Sequence, residues 1–218
     1  VLAGSSDATC SLVRRSRNGR QVLERRQMAQ RETDEKARLA TIEVETAERL
    51  AREALETHMA KAVKRLASQN FLIIDTTQGR IVIKLRPDLA PKNVDRLKLL
   101  ADEKFYDNAP FYPVGDGVAR TGDGQYRNGT GKSTYPNLTP EISSAPTRRG
   151  AVVMWPGFDA NSANSQFLIL SQDMPDLKGT VVGEVVSGIN VVDKLKKTYG
   201  FRIEPDKMIQ VRVAAKPN

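Results

Sequence analysis

Histidine and cysteine, which often perform nucleophilic, acid–base or metal chemistry, are scarce in this sequence of 218 residues. It contains one histidine, His58, and one cysteine, Cys10. No cysteine or carboxylate cluster lies at metal-ligand spacing from His58, so we predict neither a metal site nor a catalytic base there. A single cysteine also excludes a disulfide within the chain. We therefore expect neither a metal nor another cofactor.

The triplet Gly131-Lys132-Ser133 matches the end of a phosphate-binding loop. That motif also requires a glycine five positions before its last glycine, with a strand before the loop and a helix after it. Tyr126 stands at the required glycine position, and Tyr135-Pro136 follows the triplet. We therefore reject a phosphate-binding loop.

The segment Asn161-Ser-Ala-Asn-Ser-Gln-Phe-Leu-Ile169 joins a polar, turn-forming half to an apolar half. A loop that enters a buried strand has this pattern. Residues 71–77 and 80–86 have period-two patterns on either side of Gly79, which predicts a hairpin. Pro91 opens a predicted helix, and the Gly-, Thr-, Ser- and Pro-rich residues 124–148 predict a long loop.

These segments, taken in order, resemble the cyclophilins, a family of peptidyl-prolyl isomerases. The resemblance covers residues 70–213, and the motifs that carry it are the hairpin, Ala90-Pro-Lys92 with Val94, 105–111, Thr121-Gly-Asp123, 149–154, 161–169 and 183–193. It implies a mainly β fold, a closed eight-stranded antiparallel barrel capped by two helices. The second helix is expected near residues 189–197 and the closing strand at residues 208–213.

Prolyl isomerisation crosses a barrier of about 20 kcal/mol, which a protein can lower without covalent chemistry. It needs an apolar pocket for the proline ring and donors aimed at the twisted amide. In cyclophilins a key arginine follows a Phe-His pair, and the resemblance places Pro113 at that position. Proline carries no charge and donates no hydrogen bond.

Other expected groove residues are also replaced. The resemblance puts Gly117 at the phenylalanine of the proline pocket, Arg120 at a glutamine that contacts substrate, and Trp155 at a small residue. The histidine expected near residues 178–181 is missing, and Gln166 is kept. We predict no catalytic residue, and a vestigial substrate groove made of Pro113, Gly117, Val118, Arg120, Trp155, Gln166, Leu168 and Leu177.

A charged segment at residues 21–68 lies before the predicted barrel domain, residues 70–218. It is rich in Glu, Arg, Ala, Leu and Lys and lacks proline and glycine after residue 20, which predicts one long helix. Its small apolar residues recur at helical spacing. We predict a docking helix and prefer it to a self-associating coiled coil, because a strict heptad of large residues is lacking.

Residues 1–20 form a predicted irregular basic arm. Residues 1–31 contain seven arginines against Asp7 and Glu24, which is typical of what remains of a mitochondrial or plastid targeting segment, although an ordinary basic arm is an alternative. A cytoplasmic location is the alternative to an organelle. The predicted partner-docking residues of the arm and helix are Arg14, Arg15, Arg17, Arg20, Ala47, Ala51, Leu55, Met59, Ala62 and Leu66.

The net charge of +8 favours acidic partners. We expect a non-catalytic cyclophilin-like structural or assembly subunit that contacts other protein subunits through residues 1–68. An acidic protein or an anionic membrane surface is a further possible partner. The alternative is a divergent prolyl isomerase or folding chaperone recruited to a complex. Nucleic-acid binding through residues 14–31 is disfavoured, because the predicted barrel has no aromatic platform on which bases could stack.

Overall fold

The computed structural model describes residues 6–157, 159–198 and 204–217, with side chains from residue 20 onward. The chain divides into two compact units, residues 1–58 and residues 59–218. Helix α1, Ser6–Leu66, belongs to the first unit up to residue 58 and to the second from residue 59. No helix in the described ranges is both long and apolar enough to cross a membrane.

Helix α1 has 61 residues and begins at Ser6. Residues 6–20, which we predicted as an irregular arm, are therefore helical, while residues 1–5 lie outside the described residues. The segment has no proline, and Gly19 alone costs only about 1 kcal/mol in a helix interior. A long helix that is already formed adds further residues without a new nucleation step, so it continues through Gly19.

The last two turns of α1 are packed within the second unit. Ala62 and Leu66 are 5% and 1% exposed. The buried Lys98 donates from Nζ to the carbonyl oxygens of Leu66 at 3.2 Å and Ala67 at 3.4 Å, and so satisfies carbonyls at the helix end. Lys98 also donates to Oδ1 of Asn70 at 2.8 Å. Ala62 and Leu66, predicted to dock a partner, are thus already covered by this unit.

An eight-stranded antiparallel sheet forms most of the second unit, with strand order β3-β4-β6-β5-β7-β2-β1-β8. The strands are β1 Phe71–Thr76, β2 Gly79–Leu85, β3 Val114–Gly115, β4 Val118–Thr121, β5 Ala151–Met154, β6 Phe167–Leu170, β7 Val181–Ser187 and β8 Met208–Ala214. The predicted hairpin is confirmed as β1 and β2, which pair from Phe71 with Lys84 to Thr76 with Gly79. The predicted final strand is confirmed as β8.

The sheet is curled but open, so the predicted closed barrel is wrong. Strands β3 and β8 form its two edges and do not pair with each other. The outer side of Val114 is instead bonded to Thr198, whose Oγ1 accepts from the Val114 amide at 2.9 Å and whose amide donates to the Val114 carbonyl at 3.1 Å. Irregular backbone bonds between residues 108–111 and 206–208 join the two edges instead of a strand ladder.

Two helices accompany the sheet, as the resemblance implied. Helix α2, Pro91–Asp102, has its proline at the helix start, where the missing amide is not needed. Its apolar residues Val94, Leu97 and Leu100 are all buried. Helix α3 is shorter than expected, Ile189–Lys194.

Candidate functional site

Three neighbouring strands and the residues directly beside them carry five of the eight predicted groove residues on one face. In the antiparallel register, Leu168 of β6 is paired with Arg120 of β4 and with Val153 of β5. Because paired residues share a face and alternate residues along a strand share a face, Val118 and Leu170 lie on this face too. We call it the outer face. The opposite, inner face carries the fully buried Phe167 and Ile169.

Arg120 is the half-buried cation of the outer face. Its Nε donates to the carbonyl of Tyr112 at 3.1 Å, and an Nη approaches the carbonyl of Gly129 at 3.5 Å. Its guanidinium carbon lies 5.4 Å from the ring centroid of Trp155, within the range of a cation–π contact. Burial lowers the pKa of Arg120, while Tyr112 and Asp123 act in the opposite direction. The guanidinium is therefore held in place by carbonyls and an indole.

Gln166 lies opposite Trp155, whose amide donates to the Gln166 carbonyl at 2.9 Å. The Gln166 side chain donates from Nε2 to the carbonyls of Gly129 at 3.2 Å and Gly131 at 2.8 Å. Its Oε1 is buried without a hydrogen-bond partner. Gln166 and Arg120 thus both depend on the same loop, residues 124–131, for their positions.

Asp123 organises that loop. Its carboxylate accepts from the backbone amides of Gln125, Tyr126, Asn128, Gly129 and Gly131 at 2.8–3.1 Å. Burial alone raises the pKa of Asp123, but the amide donors lower it, and the pKa lies below its ordinary value. The ionised carboxylate therefore fixes the Gly129 and Gly131 carbonyls that hold Arg120 and Gln166.

Two cavities adjoin each other on the outer face, and Trp155 and Pro156 line both. The first, which we call the polar cavity, has a volume of about 560 Å³ and includes Arg120, Lys132, Asn164 and Gln166 in its lining. The second, which we call the apolar cavity, has a volume of about 170 Å³ and is lined among others by Pro140, Ile142, Leu168 and Leu177. Five of the eight predicted groove residues therefore line these two adjoining cavities.

Pro113 and Gly117 line neither of these cavities. Pro113 is exposed, and its carbonyl accepts from the Arg120 amide at 3.0 Å. Gly117 has a φ of +81°, and a Cβ added there would clash with the side chain of Gln172. A phenylalanine at residue 117 would thus meet both backbone strain and a steric neighbour.

Val118 is half-buried and packs with Trp155 and Leu177 against a buried cluster that contains Leu168. Trp155, Leu168 and Leu177 therefore contribute both to packing and to cavity walls, whereas Val118 contributes to packing and lines neither cavity. No cluster of three or more His, Cys, Asp or Glu side chains with metal-binding geometry occurs among the residues that the structure describes.

The comparisons with known proteins agree with this fold. Residues 71–214 match the family model described as cyclophilin type peptidyl-prolyl cis-trans isomerase/CLD. The chain belongs to the cyclophilin family. It is 42% identical over 164 residues to a protein of Brucella suis named "Probable peptidyl-prolyl cis-trans isomerase", a match that covers 67% of this chain and 84% of that one.

Solved cyclophilins share the fold at lower sequence identity. A cyclophilin-type peptidyl-prolyl cis-trans isomerase of Cryptosporidium parvum has a TM-score of 0.62 and 22% identity, covering 68% of this chain and 99% of that chain. The cyclophilin AquaCyp293 of Hirschia baltica has a TM-score of 0.60 and 19% identity, covering 66% and 73%.

Within this cyclophilin domain, the outer face brings together Arg120, Trp155 and Gln166 around the polar cavity. Leu168 and Leu177 lie beyond Trp155 at the apolar cavity. The sequence did not reveal that Asp123 holds the loop of residues 124–131, which contacts Arg120 and Gln166. It also did not reveal that Gln172 occupies the space beside Gly117. The role of Asp123 could have been predicted from its place just before a glycine-rich loop, because aspartate side chains accept hydrogen bonds from nearby backbone amides in turns.

The predicted docking residues of α1 differ in accessibility. Arg20, Ala47 and Ala51 are exposed, and Leu55 and Met59 are half-buried. The side chains of residues 14, 15 and 17 lie outside the described residues. From residue 20 onward, where the side chains of α1 are described, its larger apolar side chains that are about half exposed or more are Val22, Leu23, Met28, Leu39, Ile42, Val44 and Leu50.

Proposed function

We propose that this cyclophilin-family protein is a binding and assembly subunit with little or no prolyl isomerase activity. The observation that carries the proposal is the pair formed by Pro113 and Arg120. Proline stands where the resemblance expects the key arginine, and the nearby guanidinium is already engaged by two carbonyls and Trp155. A cation used in this way is poorly placed to follow the twisting amide of a substrate.

The loss of the proline pocket supports the same proposal. Gly117 provides no ring, and Gln172 lies over it. Trp155, which stands where much of the family has a small residue, takes up space between the two cavities. Without an apolar pocket and an oriented cation, both substrate placement and transition-state stabilisation are weakened.

Helix α1 is the proposed anchor to another protein subunit of an assembly. Its exposed apolar side chains between Val22 and Leu50 are a surface that a partner can cover. Residues 20–31 carry four arginines against one glutamate, so an acidic partner surface fits this end of the helix best. The organellar location stays a prediction, which subcellular fractionation of the source cells would test.

A divergent isomerase is the second candidate, and one observation favours it. Arg120 lies opposite Pro113 on the neighbouring chain segment, since the Arg120 amide donates to the Pro113 carbonyl at 3.0 Å. Its side chain lines the same cavity as the retained Gln166. In this candidate function, Arg120 replaces the lost arginine from the adjacent position.

A protease-coupled isomerisation assay on the full chain separates the two functions. We expect a rate equal to the uncatalysed rate across a set of Xaa-Pro peptides. Turnover comparable to that of an ordinary cyclophilin, assayed in parallel, would overturn the proposal. If the wild type did catalyse isomerisation, the divergent isomerase would be supported by a catalysed rate that falls in Arg120→Gln but not in Arg127→Gln. The second variant is the control, because it removes an exposed charge from the nearby loop.

Two truncations test the anchor. Removal of residues 1–58 should leave a folded unit that no longer associates with its partner in pull-downs from the source cells. Removal of residues 1–66 should also destabilise the unit by about 3 kcal/mol or more, because it deletes the buried Leu66 and an acceptor of the buried Lys98. If the protein still associates with its partner without residues 1–58, the contact is made by the cyclophilin domain and the proposed anchor is wrong. If light scattering shows that the full chain forms a dimer, the partner of the helix is a second copy of this chain.

A further inference from the structure

The polar cavity has an unusual charge balance. Arg120 and Lys132 are in its lining, together with the amide side chains of Asn164 and Gln166. No aspartate or glutamate is among the described residues that line it. The amide N–H groups of Asn164 and Gln166 already donate to acceptors within the protein, so the charge of the cavity comes from its two cations. A concave space with two cations and no carboxylate favours an anionic occupant.

Arg120 has unused donor capacity at this cavity. A guanidinium has five N–H groups, and the two contacts recorded for Arg120 go to the carbonyls of Tyr112 and Gly129, the second at the long distance of 3.5 Å. Within the described residues, no carboxylate lies within 4 Å of it in an ion pair. Half-buried cations are normally compensated by a nearby anion, because desolvation penalises an unpaired charge.

Asp123 does not provide this compensation directly. It raises the pKa of Arg120 through space, but its two oxygens already accept five backbone amides of the loop. Lys132 is exposed, and its recorded contact is to Oδ1 of Asn137 at 3.5 Å. The guanidinium of Arg120 is therefore fixed in position but keeps unused N–H groups, and the ammonium of Lys132 is accessible to a ligand.

The neighbouring apolar cavity indicates what kind of anion fits. It shares Trp155 and Pro156 with the polar cavity and is lined by apolar side chains such as Ile142, Leu168 and Leu177. A free inorganic anion would use only the polar cavity. An extended peptide with an acidic residue and an apolar residue close together would fill both.

We propose that the outer face binds extended peptides in which a glutamate or aspartate lies near an apolar residue, with Arg120 as the residue that determines specificity. The inference rests on the proposed function, because it assigns a ligand to a groove that no longer isomerises. The carboxylate receives N–H donors from Arg120, with Lys132 adding longer-range attraction. The apolar residue packs in the cavity beyond Trp155.

Intrinsic fluorescence gives a direct readout, because Trp155 is the single tryptophan of the chain. The full chain is titrated with two blocked peptides that differ only in Glu or Gln beside a leucine. We expect the Glu peptide to bind at least about tenfold more tightly, as charge-assisted hydrogen bonds to arginine are strong. The difference should shrink as salt is raised.

Three variants sharpen the test. Arg120→Gln should remove the preference for the Glu peptide, and Arg120→Lys should keep part of it. Arg127→Gln is the matched control, since Arg127 is exposed and is not in the lining of the polar cavity. Equal binding of the two peptides, no binding of either, or an unchanged preference in Arg120→Gln would overturn the inference. Inorganic phosphate that binds as tightly as the Glu peptide would also overturn it, because a small-anion site would then suffice.

The isomerase assay on the same preparation separates the two conclusions. If the protein catalyses isomerisation and also prefers the Glu peptide, the proposed function is wrong, but Arg120 still determines peptide specificity. A blank isomerase assay with equal Glu and Gln binding would remove the inference and leave the assembly role standing.

Discussion

The inner and outer faces of strands β4, β5 and β6 have the same backbone but very different content. The inner face carries fully buried apolar residues, among them Val152, Phe167 and Ile169. The outer face carries a second buried apolar cluster, which includes Val153, Leu168 and Leu170, and beside it Arg120, Trp155 and the two cavities. Because successive residues of a strand point to opposite faces, one face can keep the fold while the other changes its chemistry. A family match through these strands therefore assigns the fold with more certainty than the activity.

The largest effect should come from the inner face. Phe167 is fully buried, and its ring lies 5.8 Å from that of Tyr106 in an edge-to-face arrangement. Phe167→Ala should lower the free energy of unfolding by about 3–5 kcal/mol, measured by urea denaturation. A loss below about 1 kcal/mol would show that the inner face is not the tightly packed side.

Substitution of Asp123 should lower the free energy of unfolding by an intermediate amount that depends on pH. Asp123→Asn should cost about 2–3 kcal/mol at neutral pH, since five loop amides lose their carboxylate acceptor. The pKa of Asp123 is lowered in the folded state, so its stabilisation is complete above the unfolded value of about 3.9 and is lost as pH falls through the folded pKa.

Urea denaturation of wild type and Asp123→Asn from neutral pH down through the acid range checks this. The gap in stability between the two should narrow at low pH. A constant gap at all pH values would mean that the ionised form of Asp123 does not hold the loop.

Trp155 should have a smaller effect on stability because it is half-buried. Trp155→Ala should cost about 1–2 kcal/mol. A double-mutant cycle with Arg120→Gln should give a coupling energy of about 0.5–1 kcal/mol, as expected for a partly exposed cation–π contact. A coupling of zero would mean that Arg120 is held by the two carbonyls alone.

The smallest effect should come from the rim of the outer face. Gln172 is exposed, although it lies over Gly117. Gln172→Ala should change the free energy of unfolding by less than about 0.5 kcal/mol. If this variant gained isomerase activity, Gln172 would be a steric block of the groove, and Pro113 and Gly117 would not by themselves prevent isomerisation.

The parts of the fold that depend on local pattern were predictable. The hairpin around Gly79, the helix that opens with Pro91 and the final strand all lie where the sequence placed them. Their signals are short-range, namely alternation, turn residues and a helix-start proline. The sequence predicted that the long helix begins at residue 21, whereas α1 begins at Ser6. Gly19 and the absence of a hydrophobic period near it favour an irregular segment locally, but a helix that is already formed extends through such residues.

The sequence alone determined the family. It also predicted where the groove residues lie along the chain, with Pro113 at the position where the resemblance implies an arginine. The tertiary structure decided which of those residues meet. Whether Arg120 faces Trp155, whether Gln172 covers Gly117 and whether the sheet closes depend on contacts between distant segments, such as Val114 with Thr198. Strand register and loop packing set these contacts, and neither is encoded in the spacing of residues within one segment.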